Sequence, residues 1–411
     1  MSARPIGYFV HHQGRGHAER CAAIVNALPQ DRPVTIFCAR DDIFPALRPG
    51  VQIVTIPSLF ERAAGPMPAT DWIGTPDTMH CAPIGWPTIR QAMATMARWF
   101  HEADPALMIS DVSAEVAQMA RLCSVPHVKI LQHGDRSDPG HMAAYRGAAG
   151  LLAPFHADLD HIDRPDWMRA RTFYAPGIGV NAALPDRVAT RRALGIAPGR
   201  KLAVVASGGG GNGWADAAFG VAARAFPEIE WIVIGKIQRD WHATLPANLR
   251  LAGWVDNAAE HIAAADLIVS SAGNTTCHQV LAAQRPWIIV PEWRYFDEQQ
   301  DKAHALGRAG AALHLPSLPA SAHAWQAALT QAEHLHDPTI QRRLAGGDAA
   351  PATARWLSGL CDRIWGQTAQ ATDSTKGTSH VQDLGPDHRR GARRPSGERH
   401  PRVSGASDAA G

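Results

Sequence analysis

The chain has 411 residues, 45% of them hydrophobic, and a net charge of +2 at pH 7. That is enough apolar material for two or three packed domains, and a charge so near zero argues against a nucleic-acid partner, since several of the arginines lie in the last stretch of chain. No apolar run approaches the ~20 residues of a membrane span. The opening residues lead directly toward a strand and not a leader, and six cysteines without a Cys-x-x-Cys pair fit reduced thiols in a cytoplasm.

In chain order, Ile6 to His12 reads as a first strand, Gln13 to Gly16 as a turn and His17 to Leu28 as a helix, with Ala22, Ala23, Ile24, Ala27 and Leu28 on its buried side. Gly14 and Gly16 allow the tight turn and leave His17 at a helix start, where an imidazolium is disfavoured and a proton acceptor is expected. His11 and His12 should alternate across the strand, which argues against a metal. The full Gly-x-Gly-x-x-Gly of a dinucleotide site is missing. Strands follow at Val34 to Cys38 and Val51 to Ile56. Residues 57–87, dense in Gly, Pro, Trp and Met, either cover an acceptor pocket or form a surface excursion. A helix at Ile89 to His101 precedes the strand Leu107 to Ser110, which ends in Asp111. The helix Ala114 to Cys123 and the strand Val128 to Leu131 come next. His17 and Asp111 thus fall at carboxyl ends of one parallel sheet, where ligands bind. A carboxylate behind an imidazole fixes its tautomer and stabilises the cation formed on proton removal; Asp111 is equally placed to cap the next helix. Gln132, His133 and Asp135 share that edge and are further binding candidates, while Asp158-Leu-Asp160 reads as a solvated loop. Gly150 to Ala153 and Thr172 to Tyr174 close a first domain, residues 1–178.

The Gly- and Pro-bearing stretch Pro176 to Pro185 suits a hinge. A second domain, residues 179–366, opens with a short helix, Asp186 to Leu194, and the strand Lys201 to Ala206. Ser207, Gly208, Gly209, Gly210, Gly211, Asn212 and Gly213 then precede a helix at Trp214 to Phe226. So many glycines fit close approach of backbone to a diphosphate better than a flexible linker, and no Gly-Lys-Ser/Thr completes a Walker loop. Strands at Glu230 to Gly235 and Leu249 to Gly253 lead to Trp254 and Val255. A further apolar run, Leu267 to Val269, runs into Gly273 and Asn274 and a helix from Thr275 to Ala283. Thr275 and Thr276 add hydroxyl donors to the free amides of that helix start, an anion site. The strand Trp287 to Val290 ends at Pro291, and its loop brings Glu298 and Gln299 to the same edge. A strand at Ala312 to Leu315 and helices at Ser321 to Ala332 and Ala349 to Trp365 complete the domain. Residues 367–411 are too poor in large apolar side chains to offset ordering and are expected to be a disordered tail.

The stretch from Ser270 to Lys302 resembles the donor-binding segment of nucleotide-sugar glycosyltransferases of the GT-B fold, in both the MurG-like and UDP-glucuronosyltransferase-like branches (glycosyltransferase families 28 and 1). The resemblance implies an α/β architecture of two Rossmann-like domains facing across a cleft, with acceptor bound by the first and donor by the second. Gly273 and Thr276 fall at diphosphate positions, Glu298 and Gln299 at sugar positions, and Gln279 at the ribose position usually held by Glu. Ser207 to Gly213 resembles the Gly-Gly-Ser-x-Gly loop of the MurG-like enzymes, and the position of Trp254 and Val255 flanks the base. The Gly-Arg-Gly-His turn is similar to the N-terminal loop whose His serves as base, with an Asp at the position of Asp111 as its orienter. The reaction implied by the resemblance is transfer of a hexosyl group from a UDP- or dTDP-sugar to a hydroxyl of a small molecule, glycan or lipid, with inversion and no metal or other cofactor. Peripheral membrane contact is possible if the acceptor is a lipid. The first loop also resembles that of a GT-B hydrolase that removes UDP from an amino-sugar donor. A non-catalytic nucleotide-sugar binding module and a nucleotide-sugar 2-epimerase are the other readings.

Overall fold

Short strands buried on both faces alternate with amphipathic helices along the chain, the pattern of parallel sheets covered by helices on either side. The computed structural model describes residues 3–62, 70, 72–180, 183–208, 213–240, 242 and 244–366. The expected tail, residues 367–411, lies outside them.

The first half runs β1 (Ile6–Phe9), α1 (Arg15–Ala27), β2 (Val34–Cys38), β3 (Val51–Thr55), α2 (Pro87–Ala103), β4 (Leu107–Ser110), α3 (Ala114–Leu122), β5 (His127–Ile130), α4 (Pro139–Gly147), β6 (Gly150–Ala153) and β7 (Thr172–Tyr174). The strands form one parallel sheet in the order β3-β2-β1-β4-β5-β6-β7. Chain order reverses between β1 and β4, so a crevice opens at their carboxyl ends. These two strands end in register, Phe9 opposite Ser110.

Two expectations fail here. β1 stops at Phe9, so His11 and His12 lie in the turn, and their rings stack at 5.4 Å instead of pointing to opposite faces. Helix α4 was not expected, although its start is legible: Asp138 accepts from the amide of His141, and Pro139 opens the first turn.

The second half contributes β8 (Lys201–Ala206), β9 (Ile229–Ile234), β10 (Leu249–Gly253), β11 (Leu267–Ser270), α5 (Asn274–Ala283), β12 (Trp287–Ile289), α6 (Glu298–Arg308) and β13 (Leu313–His314). Its six parallel strands run β10-β9-β8-β11-β12-β13, and the reversal falls between β8 and β11. The helix expected from Trp214 is shorter: Trp214–Ala215 pairs with Ile237–Gln238 as a small ribbon, and the helix is Ala217–Ala225. Glu298 and Gln299 are not in a loop but open α6, after a turn in which Phe296 and Asp297 have φ of 62° and 53°. The last helix, α7 (Ala349–Trp365), packs on the first sheet. Ala354, Leu357, Leu360 and Cys361 join Ile6, Tyr8 and Ile36 in one core, Trp356 stacks on Phe173 at 5.0 Å, and Trp365 Nε1 donates to the carbonyl of Ala106 at 2.9 Å. Each buried leucine there contributes about 1.5–3 kcal/mol.

Candidate active site

The turn after β1 and the turn after β4 meet at the first crevice. His17, in the first turn of α1 and about a fifth exposed, has Nδ1 3.1 Å from Asp111 Oδ1. Asp111 is fully buried and is gripped by Arg20, whose Nε reaches Oδ2 at 3.1 Å and whose Nη2 reaches Oδ1 at 2.9 Å and Oδ2 at 2.7 Å. Burial alone would raise the Asp111 carboxyl, but the Arg20 guanidinium and the His17 ring outweigh it and hold it far below the usual carboxylate range. The carboxylate is therefore a permanent anion. Arg20 Nη2 also stands 2.8 Å from His17 Nδ1. We assign the hydrogen to Nδ1, since an ionised Asp111 can only accept; Nε2 is then the basic nitrogen, whereas donation from Arg20 to Nδ1 would reverse the tautomer. Val112, a β-branched residue at φ 85°, comes directly after Asp111. Its strain is held in part by Lys129, whose buried Nζ donates to the Val112 carbonyl at 2.9 Å. Burial pulls the Lys129 ammonium down to about 7.

The second crevice supplies the other wall. Helix α5 begins at Asn274 behind Gly273 with no side chain capping it and no acidic residue in its first turn, so amide hydrogens and dipole are available to an anion. Lys302, buried one turn beyond Glu298 on α6, donates to Asn274 Oδ1 at 3.3 Å and adds positive charge beside that helix start. Gly208 leaves β8 so close to β11 and β12 that a Cβ on it would lie 3.2 Å from Ser271 Oγ and 3.6 Å from Glu292 Oε2. Both of those atoms are buried without a hydrogen-bond partner among the described residues. Ser207 turns its hydroxyl onto the Lys236 carbonyl at 2.5 Å. Gly209, Gly210, Gly211 and Asn212 lie outside the described residues.

The two walls touch. A Cβ on Gly16 would sit 3.3 Å from Thr275 Oγ1, which brings the His17 turn against the start of α5. The Asp135 amide donates to the Phe296 carbonyl at 2.8 Å, and Arg136 Nη2 to Glu298 Oε2 at 3.1 Å. Burial would raise Glu298, yet Lys302, Arg136 and His17 together lower it, so it too is anionic. Gly134 permits this junction: its φ is 95°, and a Cβ there would fall 2.3 Å from the Phe296 oxygen. Gly134→Ala is expected to cost about 1–3 kcal/mol in a thermal or urea melt through left-handed strain and the clash. A melt unchanged from wild type would show that the junction tolerates separation.

Other candidates have different surroundings. His133 is buried against Phe155 with Nε2 on the Leu159 carbonyl at 2.9 Å, and burial holds its ring well below the ordinary value. Asp135 spends its carboxylate on the amide and hydroxyl of Ser137. Gln299 Oε1 accepts from the amides of Ala272 and Glu292 at 3.0 and 2.9 Å, and so ties the α5 approach to the chain after β12. Gln279 is partly exposed on α5. Trp254 is 68% exposed beyond β10, which removes core packing as its role, and Val255 packs partly against the core. Asp160 is a correction: it is buried and bonded by Arg164 at 2.5 Å and Tyr174 at 2.6 Å, not solvated. Sequence reasoning gave no site role to Arg20, Lys129, Arg136, Glu292 or Lys302. Arg20 and Lys302 could have been found, because they stand three and four residues beyond His17 and Glu298, on the same helical faces.

Solved structures of the same architecture are glycosyltransferases. The glycotransferase of kitacinnamycin matches with a TM-score of 0.57 at 15% identity, over 87% of this chain and 99% of that one. The calicheamicin glycosyltransferase CalG4 gives 0.58 at 14%, over 89% and 100%. MurG of Acinetobacter baumannii gives 0.51 at 15%, over 88% and 99%. Two facing parallel sheets, each with its crevice at the reversal of strand order, define the GT-B fold. Residues 235–336, which include the uncapped start of α5 and the Glu298-Gln299 pair, match the glycosyltransferase family 28 C-terminal domain. The chain thus has the GT-B fold, and its second half carries a domain that matches the glycosyltransferase family 28 C-terminal domain. No curated protein matches it.

Proposed function

We propose that the protein transfers a hexosyl group from a nucleoside diphosphate sugar to an acceptor hydroxyl, with inversion of the anomeric centre. UDP is the favoured nucleotide and dTDP the alternative. The observation that carries this reading is the meeting of a carboxylate-backed histidine with an uncapped helix start, His17 and Asp111 on one wall and Thr275 on the other. His17 Nε2 takes the acceptor proton as the oxygen attacks the anomeric carbon, and Asp111 holds the ring and stabilises the imidazolium. A single displacement inverts the centre. Charge growing on the departing diphosphate meets the amides of Gly273 to Thr276, the Thr275 and Thr276 hydroxyls and nearby Lys302, an arrangement that needs no metal there. Glu298 and Gln299 would hold sugar hydroxyls, Trp254 and Val255 the base, and Gln279 the ribose. His133 and Asp135 remain acceptor-side only through the loop they shape. The acceptor is a small molecule, glycan or lipid hydroxyl. A cytoplasmic setting accords with six free cysteines, and no described helix is long and apolar enough to cross a membrane.

A thermal-shift screen with UDP, dTDP, GDP and their sugars tests the donor, because a ligand of the folded state raises Tm by mass action. No shift with any of them would end the proposal. Product anomeric configuration, read by proton NMR, tests inversion. The Gly-Arg-Gly-His-x-x-Arg-Cys stretch, Gly14 to Cys21, resembles the first loop of a GT-B hydrolase, which supports hydrolysis as a second reading; free sugar released at full rate without acceptor would favour it. At Gln279, a carboxylate accepts ribose hydroxyl bonds more strongly than an amide. Gln279→Glu should therefore tighten UDP over dTDP several-fold, about 1 kcal/mol, measured as the ratio of dissociation constants. An unchanged ratio would remove Gln279 from the ribose site.

A further inference from the structure

On the acceptor-side half, three ligating side chains converge outside the machinery described above. His80 comes from the long segment between β3 and α2, and Asp138 and His141 from the start of α4. One ligand atom from each lies within 4.8 Å of the others. His80 Nδ1 is 3.5 Å from Asp138 Oδ1, and His141 Nδ1 is 2.5 Å from Asp138 Oδ2. Zinc-class ions hold nitrogen and oxygen at ~2.0–2.2 Å, so neighbouring ligands in a tetrahedron stand about 3.3 Å apart. The two contacts fall on different oxygens of Asp138, and the first, at 3.5 Å, is already near that spacing. The second has to open by less than about an ångström.

Supporting contacts hold this cluster in place. Glu115 Oε1 accepts from the amides of His80 at 3.0 Å and Cys81 at 2.7 Å. Gln118 Nε2 donates to the Thr78 carbonyl at 2.9 Å and the Gly140 carbonyl at 3.1 Å, bridging the two segments. Gly140 lets them meet, since a Cβ there would fall 2.4 Å from the His80 amide nitrogen. Asp138 is aimed by its own capping bond to the His141 amide at 3.1 Å. Fixed first ligands with a hydrogen-bonded surround are what metal sites require. Capping accounts for Asp138 and the His141 amide, and packing on Phe296 at 5.2 and 5.6 Å for the depth of the His80 and His141 rings. Neither requires two ring nitrogens to face one carboxylate, with the rings 4.1 Å apart.

We propose that His80, Asp138 and His141 bind one divalent cation of the zinc class, which fastens the segment around His80 to the start of α4. Two imidazoles and one carboxylate suit such an ion and not magnesium or calcium, which take oxygen. The fastened residues Met79, Cys81 and Ala82 help line an apolar cavity of about 230 Å³ with Leu59, Phe60 and Met119. Phe60 stacks on His11 at 4.4 Å, and His11 lies 5.6 Å from His17. The cation would thus shape the wall of a hollow whose Phe60 packs on His11, the neighbour of His17.

The test uses the full chain, stripped with chelator and titrated with Zn²⁺ and separately with Mg²⁺, reading bound metal per chain and Tm. One equivalent of Zn²⁺ bound with a rise in Tm, and no Mg²⁺ binding, is expected. His80→Ala, at a partly exposed side chain, and Asp138→Asn, which keeps the helix cap, should each weaken Zn²⁺ by about 100-fold. His304→Ala serves as control, because His304 and His314 pair at 4.4 Å without belonging to such a group. Failure to bind an equivalent of Zn²⁺, or binding undiminished in both His80→Ala and Asp138→Asn, overturns the site. Metal stoichiometry is independent of sugar transfer, so neither result bears on the proposed activity.

Discussion

His17→Ala is expected to lower kcat by about 10²–10⁴-fold while leaving the donor dissociation constant within about twofold of wild type, the size of effect that loss of a positioned general base produces. The donor contacts we propose lie on the opposite wall, at the start of α5 and on α6, so on that proposal removing an imidazole from α1 takes away the proton acceptor and little binding surface. Asp111→Asn sharpens the test. An amide can still bond Nδ1, but it can present an N–H there and stabilise the unproductive tautomer, and it offers no charge to the imidazolium. Its kcat should fall with a small change in KM. Because Asp111 is held far below the ordinary carboxylate range, it contributes no ionisation to the working pH profile of the wild type. Single-turnover measurement with saturating donor separates the chemical step from binding. Activity of His17→Ala within about tenfold of wild type would assign the proton to another group.

Arg20→Met is expected to be the most destabilising substitution in the site, by about 3–5 kcal/mol, since it strands a buried carboxylate after removing its main counter-charge. Arg20 is itself buried, and all three of its contacts to Asp111 are at 3.1 Å or less. The pH dependence has a defined sign. In the wild type Asp111 has a folded pKa below its unfolded one, so its stabilising contribution is present above the unfolded value and is lost only as pH falls through the folded one. In Arg20→Met burial prevails and the folded pKa rises above the unfolded one. The carboxyl is then most stable protonated, and the deficit should shrink as pH is lowered toward the carboxylate range. Urea melts at neutral and mildly acidic pH measure this. Arg20→Met combined with Asp111→Asn should recover part of the loss, because the stranded charge is gone. A deficit independent of pH and of Asp111 would mean that Arg20 acts by packing alone.

The alternation of apolar strands and helices was legible in the sequence, and so was the placement of His17, Asp111 and Gly273 to Thr276 at strand carboxyl ends. Local pattern sets these: a fully buried strand is a short apolar run, and a glycine-bearing turn before a helical period marks the crossing from strand to helix. Boundaries that depend on tertiary strain were less visible. The end of β1 at Phe9 and the left-handed turn at Phe296 and Asp297 that makes Glu298 start a helix are examples. The glycine loop after β8 lies partly outside the described residues.

The sequence alone determined two alternating α/β halves and the residue types at their edges, because hydrophobic period and turn chemistry are properties of neighbours along the chain. Only the tertiary structure decided which edges meet. Arg20 clamps Asp111 from 91 positions away, Arg136 reaches Glu298 across 162, and Glu115 and Gln118 of α3 hold the His80 segment, Gln118 also reaching the start of α4. Such pairings arise from how two packed layers come together, and burial then sets their charge states. No local spacing encodes that.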